Sequence, residues 1–178
     1  MVPEAKLKQT ESGLVPEGEG WFVVNTREAR WYEHAEFGRY SRFEGDARFP
    51  EFGINISVLE PGKASCMYHG ENNQEDFLVL SGECRLLVEG EERPLKAWDF
   101  VHCPQWTEHV FVGAGSGPCL ILSVGTRNEP DEVIYPVVEV AQRHGGSVEK
   151  ETKSAEEAYA RFPKAVERRF QEGDLPDW

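Results

Sequence analysis

DFLVL at Asp76–Leu80, CRLLVEG at Cys84–Gly90, DFVHC at Asp99–Cys103, HVFVGAG at His109–Gly115 and CLILSVG at Cys119–Gly125 follow one another through the middle of the chain. Each run is rich in β-branched, leucine or aromatic residues, and they recur roughly every ten residues. Turn-forming residues punctuate the series: Pro61-Gly62, Ser81-Gly82, Glu89-Gly90 and the stretch from Gly115 to Pro118. No helix-length segment separates them. Such spacing predicts an antiparallel sandwich or barrel and excludes a parallel sheet with helical crossovers.

Working outward, WFVVN at 21–25, the aromatic-rich stretch from Trp31 to Phe43 and INISVLE at 54–60 read as further β-prone pieces. Residues 1–19, rich in Glu, Pro and Gly with little periodicity, are expected to form a flexible arm. Residues 20–130 then form the β-unit, with its motif-bearing core at 50–126. Residues 131–178 are expected to be a mostly helical appendage. There VIYPVVEVAQRHGG at 133–146 runs from a strand into a short helix closed by Gly145. Ser154-Ala-Glu-Glu157 has the pattern of a capping box that starts another helix. Pro163 is expected to open a second helical piece, KAVERRFQEG, with Val166 and Phe170 four apart on one face.

The chain has 178 residues, of which 39% are apolar, enough for one domain with decorated ends and a sizeable core. Nineteen Lys and Arg against 32 Asp and Glu give a formal charge of −13. That balance repels phosphate backbones and anionic headgroups, so nucleic-acid and membrane-surface roles are not expected. No apolar run approaches the ~20 residues that span a bilayer, and MVPEAKLKQTESG lacks the apolar stretch of a secretory signal. A cytoplasmic location follows as the expectation. Cys66, Cys84, Cys103 and Cys119 lie far apart, without CxxC spacing, and read as free thiols.

Residues two apart in an extended chain face the same side, so His69 and Glu71 share one space. Glu75 follows, opening the apolar strand FLVL, where a carboxylate needs a partner. His109 begins HVFV after the turn Pro104–Glu108 and is the candidate to complete the set. Two imidazoles and two carboxylates would hold one divalent metal ion, and mixed nitrogen and oxygen donors leave Mn, Fe, Ni or Zn open. Gln74, next to Glu75, is a reserve ligand, since a bulge would exchange their directions. His102 shares the parity of Phe100 and is a weak candidate catalytic acid or base. Tyr68, Trp98 and Trp106 are candidate pocket walls, and His34 and His144 read as surface residues.

These residues resemble the cupin family. Its first motif places Gly, five residues, His-x-His, three or four residues, Glu, six residues and Gly. Here Gly62 precedes His69-x-Glu71, then Glu75, then Gly82. The second motif, Gly, five residues, Pro-x-Gly, two residues, His, three residues, Asn, corresponds to Trp98, Pro104-x-Trp106, His109 and Gly113. The departures are an extra residue before His69, Glu71 for the second His, Trp at both glycines of the second motif, and Gly113 for its Asn.

The resemblance covers about 50–126. It implies an all-β fold, a cupin-like jelly-roll barrel with an irregular N-terminal extension and short C-terminal helices, holding one metal through His69, Glu71, Glu75 and His109. It also implies a metal-dependent enzyme on a small polar metabolite, with dioxygenase, decarboxylase and isomerase chemistry all open. The alternative is a non-catalytic module that binds or senses a small ligand. For a sugar-phosphate isomerase or epimerase, the nearest cations in sequence, Lys63, Arg85, Arg93 and Lys96, are scattered. Edge strands need cover, so a homodimer is expected in which the stretch from Trp21 to Phe43 adds to a partner's sheet.

Overall fold

The computed structural model describes residues 1–175. Ten strands build its two main sheets. The larger contains β3 (Trp31–His34), β4 (Gly38–Arg42), β5 (Phe52–Leu59), β7 (Glu75–Ser81), β10 (Phe100–Cys103), β12 (Cys119–Thr126) and β14 (Val166–Arg168), in the order β10-β7-β12-β5-β4-β3-β14. The smaller contains β8 (Glu83–Val88), β9 (Glu91–Lys96) and β11 (His109–Ala114), in the order β11-β8-β9. Two further pairs are β1 (Lys6–Thr10) with β2 (Gly13–Glu17), and β6 (Gly70–Glu71) with β13 (Val133–Ile134). Every named pairing is antiparallel. No helix among the described residues is long and apolar enough to cross a membrane.

Leu59, Phe77, Val79 and Ile121 of the larger sheet pack against Leu86 and Phe111 of the smaller one, forming the core between them. The smaller sheet is buried on its other face too. Leu87, Val110 and Val112 pack there against Met67, Tyr68, Tyr135, Val140, Ala141 and Ala158. Burial on both faces explains why CRLLV and HVFV are nearly continuous apolar runs rather than alternating ones.

The sheets face one another but do not close into a barrel, which corrects the jelly-roll barrel expected from the resemblance. Closure needs a continuous ladder between sheet edges. The edge of β11 meets the preceding chain through isolated bridges, Ala64 to Val112 and His69 to His109, and scattered backbone hydrogen bonds with residues 62–65, which form no continuous ladder. At the other side β9, EERPLK, is exposed, charged and carries Pro94, the composition of an edge that ends pairing.

The ends also differ from expectation. Residues 1–19 hold the β1–β2 hairpin rather than a free arm. Thr10 Oγ1 donates to Gly13 O at 2.7 Å across its turn, and Leu14 bridges to Ala29. WFVVN forms no strand beyond a single bridge from Glu4 to Trp21. The stretch 31–42 forms β3 and β4, with β3 pairing with β4 and β4 with β5, all within this chain. In the C-terminal part, α1 (Glu139–Gln142) and α2 (Ala155–Tyr159) are short. Ser154 caps α2, its side chain accepting the Glu157 N–H. KAVERRFQEG is not helical: Val166–Arg168 form β14 on the edge of β3, Phe170 packs on Trp31, and Val166 stays exposed. The Val166 and Phe170 spacing therefore reflects no buried helical face.

Candidate metal centre

The site forms where three strand beginnings converge. His69 precedes β6, Glu71 ends it, Glu75 opens β7 and His109 opens β11. His69 and His109 are directly opposed and exchange both backbone hydrogen bonds, at 2.8 and 3.2 Å. The link between Glu71 and Glu75 is held to the loop after β12. The Asn73 amide donates to Asp131 and its oxygen accepts the Asn128 N–H, while Asn72 donates to Pro130 O and accepts the Glu132 N–H. These contacts turn the chain so that both carboxylates face His69.

Ligand atoms of His69, Glu71 and Glu75 lie within 4.8 Å of one another. His109 Nε2 is 3.3 Å from Glu75 Oε2, and the two imidazole centroids are 5.3 Å apart. Each ring has its Nδ1 at a backbone carbonyl two residues upstream, Met67 O at 2.9 Å for His69 and Thr107 O at 3.0 Å for His109. A carbonyl can only accept, so each Nδ1 carries the proton and donates it. In the neutral ring Nε2 is then a lone pair turned toward carboxylate oxygen, and that arrangement calls for a proton or a cation between the two.

The acid–base behaviour expresses the same shortage of positive charge. Burial, with the Glu71 charge adding to it and His69 opposing, pushes the Glu75 carboxyl up to about 7. Glu71 is also raised, chiefly by burial. Burial and then the His69 charge hold His109 down to about 4. Burial would lower His69, but interaction and hydrogen bonding with the Cys66 sulfur, then the nearby Glu75 and Glu71 carboxyls, outweigh it and push the imidazole up to about 10. The donor set fits a divalent ion: two neutral nitrogens and two carboxylates would balance a 2+ charge.

A cavity of about 350 Å³ is lined by His69, Glu75 and His109, with Phe77 and Phe111 beside them. Tyr40, Arg42, Asn55, Ser57 and Ser123 supply polar walls, and His34 and Tyr159 also line it. Strand register explains the polar wall. Tyr40 lies opposite Ser57, Arg42 opposite Asn55, and Ser123 opposite Asn55. In INIS, Asn55 and Ser57 therefore face inward. The alternating Ile56 packs on the opposite face with Trp31 and Val58.

Several sequence-predicted residues lie elsewhere. Gln74 is exposed and its amide donates to Asp76 Oδ2 at 2.7 Å, so Glu75 takes the inward position. His102 is paired with Asp76 across the outer face of β7 and β10, at 2.6 Å, with half its side chain in solvent. His102 lines no part of the cavity beside His69 and His109. Tyr68 is fully buried in the core behind the smaller sheet, its hydroxyl accepting the Gly90 N–H. Trp98 and Trp106 are 71% and 47% exposed and line no part of this cavity. Trp106 supports the site through its backbone, whose N–H donates to Glu71 O at 2.7 Å.

Sequence reading missed His34, taken as a surface residue, together with Arg42, Asn55, Ser57, Ser123 and Tyr159. The readable signal was the polar residues at inward parity in otherwise apolar strands. The aromatic crowding around His34 arises from Phe37 and Phe162 packing after folding and has no local signature.

Residues 55–125 match the family model of the cupin domain. A solved sugar phosphate isomerase of the cupin superfamily from Silicibacter pomeroyi DSS-3 is 30% identical, with a TM-score of 0.50 over 55% of this chain and 64% of that one. A protein of Acidithiobacillus ferrooxidans, inferred to be a sugar phosphate isomerase, is 33% identical, with a TM-score of 0.45 over 47% of this chain and 55% of that one. The chain thus spans less than two thirds of either relative. The polyketide cyclase RemF from Streptomyces resistomycificus shares the fold at 16% identity, with a TM-score of 0.54 over 62% of this chain and 83% of that one. No curated protein matches the chain.

Proposed function

This chain belongs to the cupin superfamily through its domain at residues 55–125, and from that premise we propose a divalent-metal-dependent enzyme that moves a proton beside the carbonyl of a small polyoxygenated metabolite, the chemistry of an isomerase. The observation that carries the reading is the pair of imidazoles whose Nδ1–H groups are fixed on backbone carbonyls while Nε2 faces the Glu71 and Glu75 carboxylates. His69, Glu71, Glu75 and His109 would hold the metal, one of Mn, Fe, Ni or Zn. Such an ion supplies Lewis acidity that polarises a carbonyl and acidifies the neighbouring C–H bond.

The remaining work falls to the cavity's own side chains. His34 Nδ1 accepts the backbone N–H groups of Glu36 and Phe37, at 3.1 and 3.3 Å, so in the neutral ring the proton sits on Nε2. That ring lines the cavity and is suited to deliver and recover a proton. Tyr159 accepts the Met67 N–H and burial raises its pKa, so its hydroxyl stays protonated and donates. Asn55, Ser57 and Ser123 offer hydrogen bonds to substrate hydroxyls, and Phe77 and Phe111 exclude water. The solved sugar phosphate isomerase at 30% identity supports the isomerase class over the other metal chemistries.

The test is elemental analysis of the purified protein, followed by a panel of aldoses and ketoses in D₂O. About one ion per chain is expected, with deuterium entering at the carbon beside the carbonyl. His69→Ala and His109→Ala should each lose the metal. Unchanged metal content in both variants overturns the site, and metal without turnover of any carbonyl substrate moves the protein to the ligand-binding class.

A further inference from the structure

A second cavity, of about 480 Å³, adjoins the metal cavity, and Arg42 and Asn55 line both. Arg30, Arg42, Arg48 and Arg127 line it, with Glu44 as its one carboxylate. We propose that this bay holds the phosphate of a phosphomonoester substrate whose carbonyl end reaches the metal cavity. The proposal rests on the functional reading above and specifies its substrate class.

The argument begins with charge. In a chain of formal charge −13, four guanidinium groups around one bay are a concentration that composition gives no reason to expect. Two of the four are already engaged. Arg127 is paired with Glu44 at 2.8 Å and donates to Phe49 O at 2.5 Å; Arg30 is paired with Glu167 at 3.2 Å. Among the described residues Arg42 and Arg48 have no carboxylate within 4.0 Å, and the buried Nε of Arg30 has no hydrogen-bond partner. The bay therefore has more donors than acceptors.

Its walls are also preformed. Tyr32 and Tyr40 stack at 5.1 Å, and the Arg42 guanidinium lies over both rings, 5.8 and 5.2 Å from their centroids. Ring faces orient the planar group without occupying its N–H fork, which matches phosphate oxygens two at a time. The loop from Phe43 to Pro50 is fixed by Glu44 accepting the Phe49 N–H, and by Gly45, where a Cβ would come within 1.9 Å of Pro16 O. Gly53 leaves room for Arg127: a Cβ there would stand 3.0 Å from its Nη2. Arg127 is far in sequence from Arg30, Arg42 and Arg48, and the strand order β12-β5-β4-β3 brings it beside them. The cations nearest the ligands in sequence, by contrast, do not line the bay.

The experiment titrates inorganic phosphate into chelator-treated, metal-free protein, measured by calorimetry, beside Arg42→Gln and Arg48→Gln. Both changed side chains are exposed, and a denaturation midpoint confirms each fold. Saturable phosphate binding is expected, weakened at least about tenfold in each variant, with metal content unchanged in both. Phosphate affinity in both variants equal to that of the unaltered protein, no binding by the unaltered protein, or tighter binding of acetate than of phosphate overturns the proposal. The metal reading fails separately. His69→Ala should lose metal yet keep phosphate binding, and an unaltered protein purified without metal would remove the functional reading while the titration still decides the bay.

Discussion

His69 and His109 are oriented by backbone, since each Nδ1–H is tied to a carbonyl two residues upstream and the two residues exchange main-chain bonds. The four residues that the family's motif spacing singles out stand at β6, β7 and β11, where spacing along the strands determines which side chains can meet. The departures at Trp98 and Trp106 have a backbone meaning. Both residues hold φ values of 75° and 67°, the left-handed region that suits glycine, at the positions where the motif has glycine. The conformation persists although the residue has changed. An L-residue there costs about 1–2 kcal/mol, and Trp98, with most of its ring in solvent, recovers little of that by burial. Trp98→Gly is therefore expected to raise unfolding free energy by about 1 kcal/mol after the entropy of a freer unfolded chain is subtracted. The denaturant midpoint reads this out, and a lower midpoint in the variant refutes it.

At the scale of elements, β5 shows what was legible and what was not. INISVLE was recognisable as a strand, and its alternation already placed Asn55 and Ser57 together on one face. Which face was inward depended on pairing with β4 and β12, and pairing partners far apart in sequence leave no local trace. The misread of KAVERRFQEG has the same origin: docking on β3 decided a segment whose own pattern permitted a helix. The loop after β4 adds a testable contact. Burial disfavours the Glu44 carboxylate, but hydrogen bonds from Arg127 and from the Phe49 N–H outweigh it and hold the pKa below its ordinary value near 4.5. A folded-state pKa below the unfolded one stabilises the protein above about pH 4.5, and the contribution disappears as pH falls through the lower folded value. Glu44→Gln should cost about 2 kcal/mol at pH 7 and much less at pH 3, measured by urea unfolding at both. An equal cost at the two pH values would show that the charge contributes nothing.

Across the whole molecule, the two main sheets share a core but no ladder, and this bears on stability. Sequence spacing revealed that strands follow one another antiparallel, yet closure is a property of the edges, which only β9, β11 and their missing partners determine. The candidate ligands lie across that opening. Glu75 belongs to the larger sheet, His109 to the smaller, and His69 and Glu71 to the segment that joins the smaller sheet by bridges rather than by a continuous ladder. An ion held by all four would link the two main sheets, which no ladder joins, and would also supply positive charge to the Glu75 carboxyl, which burial first and the Glu71 charge second push up to about 7. Binding confined to the folded state stabilises by about 2.7 kcal/mol at a hundredfold excess over the dissociation constant. For a chain of this size each kcal/mol moves the melting midpoint by about 2–4 °C, so chelation should lower it by about 5–10 °C. His109→Ala supplies the control, because a variant without the centre should melt at the same temperature with and without chelator. If the unaltered protein shows no chelator-dependent shift although elemental analysis finds metal, the ion lies somewhere other than between the sheets.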